Sequence, residues 1–170
     1  EFTFNSWDYL NAEELIFSDS DPTVLKQVDR KVGLVIGVPS GKKSKIELQG
    51  ARISNTDRFS NDNDFGNGIT LDKLSFKGYR FGLRYQWDNL NRSQYASEGN
   101  AFTISMDYFT GEEDYRPGST SNLLTIILRK HDWFRIRLKA EQYFGLGRFK
   151  YGYYLDGVLS NQPVFSSYVG

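Results

Sequence analysis

Few residues in this chain are placed to do covalent chemistry. There is no cysteine, which excludes thiolate nucleophiles, disulfides and Cys-based zinc sites. The single histidine, His131, cannot build a His-rich metal site alone, and beside Asp132 and Trp133 it reads as a turn residue. A hydrolase with its serine on a strand-to-helix elbow needs Gly-x-Ser-x-Gly, and that pattern is absent. Asp156-Gly157 has the look of a catalytic aspartate motif, but it follows an alternating strand and has no activated nucleophile to serve, so a rim turn is expected there. The acidic, Gly-rich run over 61–68 has a superficial likeness to a calcium loop. Counted from Asp62, however, the fifth position is Gly66 and the twelfth is Lys73, where an EF-hand wants an oxygen ligand and a Glu. A solvated surface loop is expected, with no metal and no cofactor.

The charges carry more information. Arg135, Arg137 and Lys139 recur at every second position and lead to Glu141, while Arg80 and Arg84 repeat the spacing upstream. Such a row could favour anions in a pore or bind an internal plug; the expectation is that it pairs with Glu141, Asp107 and Asp156 along a lumen wall. Lys plus Arg equals Asp plus Glu at 21 each, so no electrostatic footprint for nucleic acid appears.

These charges sit on segments with a period of two, the signature of half-covered strands. Tyr79, Phe81, Leu83, Tyr85 and Trp87 alternate with Arg80, Gly82, Arg84, Gln86 and Asp88. Phe102, Ile104, Met106 and Tyr108 alternate with Thr103, Ser105 and Asp107; Phe134, Ile136, Leu138 and Ala140 alternate with Arg135, Arg137, Lys139 and Glu141. Phe149, Tyr151, Tyr153 and Leu155 continue the pattern. Weaker candidates lie at 2–9, 32–38, 45–53, 122–130 and from Val164, for roughly nine strands in all. Asp21-Pro22 followed by Leu25 and Val28 predicts an N-cap, a first-turn proline and one short loop helix. Connections at 39–43 and 131–133 are short, and those at 11–30, 54–72 and 111–121 are long and polar. Two do not fit the alternation: 89–99 is long on the short rim, and 145–147 is short on the long rim.

Short turns on one rim and long loops on the other are typical of outer-membrane β-barrels. The mean hydropathy of −0.53 does not oppose this, because in such barrels only alternate residues need be apolar. Aromatics cluster at strand ends, among them Trp87, Tyr95, Tyr108, Phe109, Trp133, Phe134, Tyr143 and Phe144. Trp87, Tyr108, Trp133 and Phe134 are read as a membrane girdle. The rival is a soluble lipocalin-like ligand-binding barrel, in which the same aromatic faces would line an internal cavity.

The segment from Tyr85 to Gly99 resembles a strand-turn-strand unit of the bacterial surface antigen superfamily. That group includes barrel-assembly insertases, two-partner secretion pores and patatin-fused barrels. The similarity is carried by the aromatic strand, Leu90-Asn91-Arg92, Tyr95, and Ser97 with Gly99; Ala96 stands where members often have proline. The resemblance implies that Leu90, Asn91, Arg92, Tyr95 and Gly99 form a turn facing the periplasm. Residues 95–99 and 113–121, with 5–17 and 160–168, are similar to the C-terminal barrels of patatin-like phospholipases of Bacteroidota. That likeness implies a barrel of about sixteen strands, of which residues 1–170 form one segment truncated at both ends. It also implies that any hydrolase activity lies in an absent patatin-like domain. The expectation is therefore an all-β, antiparallel transmembrane barrel segment of the bacterial outer membrane. It would anchor, insert or translocate protein, with membrane lipids and a translocated or fused protein domain as partners.

Overall fold

The alternating segments become seven antiparallel strands of one sheet in the computed structural model, which describes residues 2–8, 23–60, 70–91, 96–119, 121 and 124–165. The strands are β1 (Phe2–Asp8), β2 (Thr23–Pro39), β3 (Ser44–Ser60), β4 (Asp72–Asp88), β5 (Gly99–Arg116), β6 (Ile127–Leu146) and β7 (Phe149–Ser160). Each pairs with its sequence neighbour, in the order β1-β2-β3-β4-β5-β6-β7, as an up-and-down meander. The all-β antiparallel architecture agrees with the period-two reading. Among the described residues the sheet is open, with β1 and β7 each paired on one side.

Several expectations need correction. The predicted helix after Pro22 is instead the start of β2. Residues 26–32 pair with β1 on one side and with β3 on the other, and two ladders of backbone hydrogen bonds, with the β-branched Thr23, Val24 and Val28, outweigh a first-turn signal. The corner at 131–133 is no turn, since β6 runs unbroken through it and merges two predicted strands. Asp156-Gly157 likewise lies inside β7 and not at a rim. The polar stretches 54–60 and 111–116 are strand, not loop. Residues 161–165, where a last strand was expected to begin, are not strand, and the rest of that segment lies outside the described residues. Among the described residues the roughly nine predicted strands thus become seven.

Merging the strands resolves one misfit. With β6 continuous, connections 40–43, 89–98 and 147–148 share one rim, and 9–22, 61–71 and 117–126 share the other. The short 147–148 turn now falls on the rim of the short 40–43 turn, and only 89–98 remains long there.

The sheet curls toward one face. Strands two apart in a flat sheet are separated by about 9.5 Å. Yet Phe59 of β3 stacks on Tyr115 of β5 with ring centroids 6.3 Å apart, and Phe76 of β4 meets Trp133 of β6 at 5.4 Å. On the opposite face, ring pairs join adjacent strands: Tyr85 with Phe102, Tyr108 with Phe134, and Phe144 with Tyr151. The first face is concave and the second convex.

Candidate functional site

The convex face carries the apolar stripes. Register places Val32, Leu34, Ile36 and Val38 of β2 beside Ile46 and Leu48 of β3, then Tyr79, Phe81, Leu83, Tyr85 and Trp87 of β4. Phe102, Ile104, Met106 and Tyr108 of β5 follow, then Phe134, Ile136 and Leu138 of β6, then Tyr151, Tyr153, Leu155 and Leu159 of β7. Most of these side chains are uncovered, Leu34 being 67% exposed, Phe81 54% and Leu155 59%, while Tyr85, Trp87 and Tyr108 are half-buried. Isolated exposed apolar residues are ordinary, but a belt crossing six strands is not, and such patches mark an interaction surface. From Tyr79 to Trp87 the belt spans eight residue steps, about 26 Å along the strand. From Phe134 to Phe144 it spans ten steps, about 33 Å along the strand. Beyond Tyr79, toward the long-connection rim, the same face turns polar through Lys77, Ser75 and Lys73, flanked by Ser54, Thr56 and Arg58 of β3 and by Glu112, Asp114 and Arg116 of β5.

The concave face carries the charges. Arg80, Arg84, Arg135, Arg137, Lys139 and Glu141 all lie on it. Asp107, buried at 4% exposure, is the hub. It accepts from Arg80 Nη2 at 2.7 Å and Nε at 2.9 Å through Oδ1, and from Arg135 Nη2 at 2.8 Å through Oδ2. Each of its oxygens thus serves a different neighbouring strand. Both guanidinium groups also lie over the Phe109 ring, at 5.9 and 5.2 Å, where the π face attracts them. Gly82 keeps the site open, since a Cβ there would lie 2.7 Å from Asp107 Oδ1. Toward the short-turn rim Arg84 pairs with Glu47 at 3.2 Å, and Asp156 accepts from Arg137 at 2.5 Å with Lys139 at 3.9 Å. Glu141 accepts from the Tyr143 hydroxyl at 3.0 Å. Charge pairing along this wall consumes much of the cationic row.

Toward the long-connection rim the concave face is drier. Phe76, Phe109 and Trp133 form one buried cluster, and Phe59, Leu74 and Tyr115 form another. Phe165, beyond the end of β7, folds back over both and meets Phe76 and the His131 ring edge-on, at 5.5 and 4.9 Å. Buried beneath them, His131 hydrogen-bonds Glu113 from the neighbouring strand, and Asp72 accepts from the Tyr115 hydroxyl at 2.9 Å and from the Gly118 amide. Polar groups this far from water keep their places only when paired.

The 89–98 connection is organised by Asn91. Its side-chain oxygen accepts from the amides of Ser97 and Glu98, at 3.1 and 3.3 Å, and its amide group donates to the Ser97 hydroxyl at 3.0 Å. The Leu90 amide donates to Asp88 at 3.0 Å. Gly99 closes the turn at φ +108°, where a side chain is strained and a Cβ would lie 2.9 Å from Leu90 Cα. Glu98 takes a 2.7 Å hydrogen bond from Lys150 across the rim, which holds its carboxyl below the usual range. Arg92 and Tyr95 lie outside the described residues, as does the 61–68 loop.

Trp87, Tyr108 and Phe134 sit at the ends of the convex apolar belt. Trp133 does not: it is buried on the concave face, stacked on Phe109 with centroids 4.8 Å apart. Phe109 and Tyr143 share that face. Neighbours on a strand point to opposite sides, so Trp133 and Phe134 cannot both belong to one girdle. Glu47, Glu113 and Gly82 were missed from the sequence because each acquires its role only once the register is known, and Phe165 because its role depends on the chain folding back beyond β7. Comparison of the chain with protein families, with characterised proteins and with solved structures finds no match.

Proposed function

We propose that this sheet is a section of the wall of a transmembrane β-barrel in a bacterial outer membrane, with its convex belt in hydrocarbon and its concave face toward a polar lumen. The observation that carries the reading is the belt of large apolar side chains left uncovered across six strands of the convex side, while the charged or polar groups Asp107, Glu113 and His131 are buried on the concave side beside its aromatic clusters. A water-soluble sheet places its polar face outward; hydrocarbon as the outer solvent reverses the preference. At the strand tilt of a barrel, near 40°, the belt is about 20–25 Å high, which suits the apolar band of such barrels, and aromatic residues at both of its ends suit the interfaces.

The wall anchors, inserts or translocates protein, in the manner of a surface antigen or patatin-fused barrel. That affiliation rests on the resemblance of the Tyr85 to Gly99 segment, and hydrolysis is assigned to a separate patatin-like domain. Backbone groups on the outer edges of β1 and β7 would be costly in hydrocarbon without partners. Further strands or another chain therefore pair with them. The lipocalin-like alternative needs the stripes of β4 and β5 packed around a dry centre, and the exposure of Phe81, Leu83 and Met106 opposes it. The deciding experiment is fractionation of the full-length protein combined with a gel shift between unheated and boiled samples. Recovery in the membrane fraction with a heat-dependent shift is expected. Recovery in the soluble fraction without detergent would overturn the reading.

A further inference from the structure

Within the convex belt, one row runs across β2 to β6 through Leu34, Gly50, Phe81, Tyr108 and Phe134, and only Gly50 in it lacks a large side chain. A Cβ built at Gly50 meets nothing within 4 Å, so the gap is open. With the next row toward the middle of the belt, Ile36, Leu48, Leu83 and Met106, it forms a groove of about 510 Å³. Gln49 and Asp107 also border this groove, but their side chains bind Arg80 on the concave face, so their backbone makes the floor and the walls are apolar. One row nearer the long-connection rim, at the edge of the belt, stands Arg52. It is exposed, lies two residues from Gly50 on β3, about 7 Å along the strand, and has Val32 and Tyr79 as its cross-strand neighbours. Among the described residues its side chain has no ion pair or hydrogen bond. Two carboxylates share the adjoining depression with Arg52 and are engaged elsewhere, Glu112 with Lys130 at 3.8 Å and Asp132 with the Tyr108 hydroxyl at 3.2 Å. Along β3 the convex surface thus passes from an apolar groove to a cation.

We infer that the groove holds one acyl chain of a phospholipid whose phosphate rests on Arg52. The inference deepens the membrane reading above and rests on it. With the belt in hydrocarbon, an unfilled gap at Gly50 forfeits dispersion contacts that an acyl chain makes. Arg52 then stands where hydrocarbon gives way to headgroups, and a guanidinium matches a phosphate in charge and in paired hydrogen bonds. A second copy docked through the same belt would bring apolar side chains to the gap and no anion to Arg52, whereas a phospholipid supplies both.

The test uses the full-length chain reconstituted in vesicles of phosphatidylcholine mixed with phosphatidylglycerol, and native mass spectrometry after detergent extraction counts both chains and retained lipids. Wild type should retain one phospholipid, with phosphatidylglycerol preferred. In Gly50→Leu the new side chain takes the space of several methylenes, so retention should fall by at least about tenfold. Its midpoint in urea should stay at or above that of wild type, because glycine weakens a strand interior. Arg52→Gln should keep a lipid but lower the preference for phosphatidylglycerol about fivefold. Leu155→Ala, in the belt on β7 and away from the groove, should change neither quantity. Undiminished retention by Gly50→Leu, or an equal loss in Leu155→Ala, would overturn the inference, as would an unchanged preference in Arg52→Gln or a second copy of the chain in place of lipid. If Gly50→Leu does not insert, a lysophospholipid, with one chain and one phosphate, should displace the retained lipid from wild type, and failure to do so refutes the inference. Insertion of wild type with no retained lipid refutes this inference alone. Failure of wild type to enter the vesicles refutes the membrane reading together with it.

Discussion

A cationic residue at the middle of the belt tests the outer solvent directly. Leu83 lies four residues from Tyr79 and four from Trp87 on the convex face of β4, between Leu48 and Met106. At about 3.3 Å per residue and a tilt near 40°, it sits about 10 Å inside either edge, the depth of a midplane. Arginine there costs about 2–4 kcal/mol in a lipid-facing barrel, against about 0–1 near an interface. Leu83→Arg should therefore shift the folding equilibrium by about 30- to 700-fold, and Tyr79→Arg by far less. Urea titration of the chain in lipid vesicles, followed by tryptophan fluorescence, measures both. Were the convex face simply exposed to water, neither substitution would move stability by more than about 0.5 kcal/mol. Equal costs at the two positions, large or small, would refute the assignment of the belt to hydrocarbon.

Asp107→Asn should cost about 2–4 kcal/mol in chemical denaturation, because it strips the shared counter-charge from Arg80 and Arg135; the figure is discounted for the partial exposure of Arg135. Arg80→Gln should cost more than Arg135→Gln, and the reverse order would contradict the burial seen here. A Cβ at Gly111 would lie 2.5 Å from Phe76 Cζ and 2.6 Å from the Lys77 carbonyl, whereas one at Gly157 meets nothing within 4 Å. Gly111→Ala should accordingly destabilise by about 1–3 kcal/mol, while Gly157→Ala should be neutral or gain up to about 1 kcal/mol, as thermal or urea melts would report. Asn91→Ala removes the acceptor for the Ser97 and Glu98 amides, so those two protons should exchange faster with deuterium while the β4–β5 ladder stays protected. Because the Lys150 bond lowers the Glu98 pKa, its stabilising contribution is present at neutral pH and lost as pH falls through the lowered value. Lys150→Gln should return the Glu98 titration seen by NMR toward 4.5, and an unchanged midpoint would show that the bond is not formed in solution.

The readable part of the fold was the part in which one strand face differs from the other. Tyr79 to Asp88 announces itself because apolar and polar residues alternate without a break. The same strand went unread from Asp72 to Gly78, where the phase inverts: Lys73, Ser75 and Lys77 take the convex side and the apolar Leu74 and Phe76 the concave one, so the stripe of one face does not run through. Asp107 could be matched to Arg135 from charge and parity, but Glu47 and Arg84 needed the register, since they lie 37 residues apart on neighbouring strands. His131 looked like a turn residue because its partner Glu113 is 18 positions away. Trp133 was misread through composition: an aromatic pair at a supposed strand end suggests an interface, yet consecutive residues in extended chain must face opposite media. Leu25 and Val28 show the converse failure, since a three-residue spacing after proline is helical only when no neighbouring strand competes for the backbone.

The seven strands among the described residues are an odd count, and in a meander an odd count leaves the two outermost of them, β1 and β7, running the same way. A cylinder that keeps every seam antiparallel must interpose an odd number of additional strands between them. Joining β7 straight to β1 would create one parallel seam, and setting two such sheets side by side in one orientation would create two. Direction alone thus constrains what can complete the wall, whatever residues the completing strands carry.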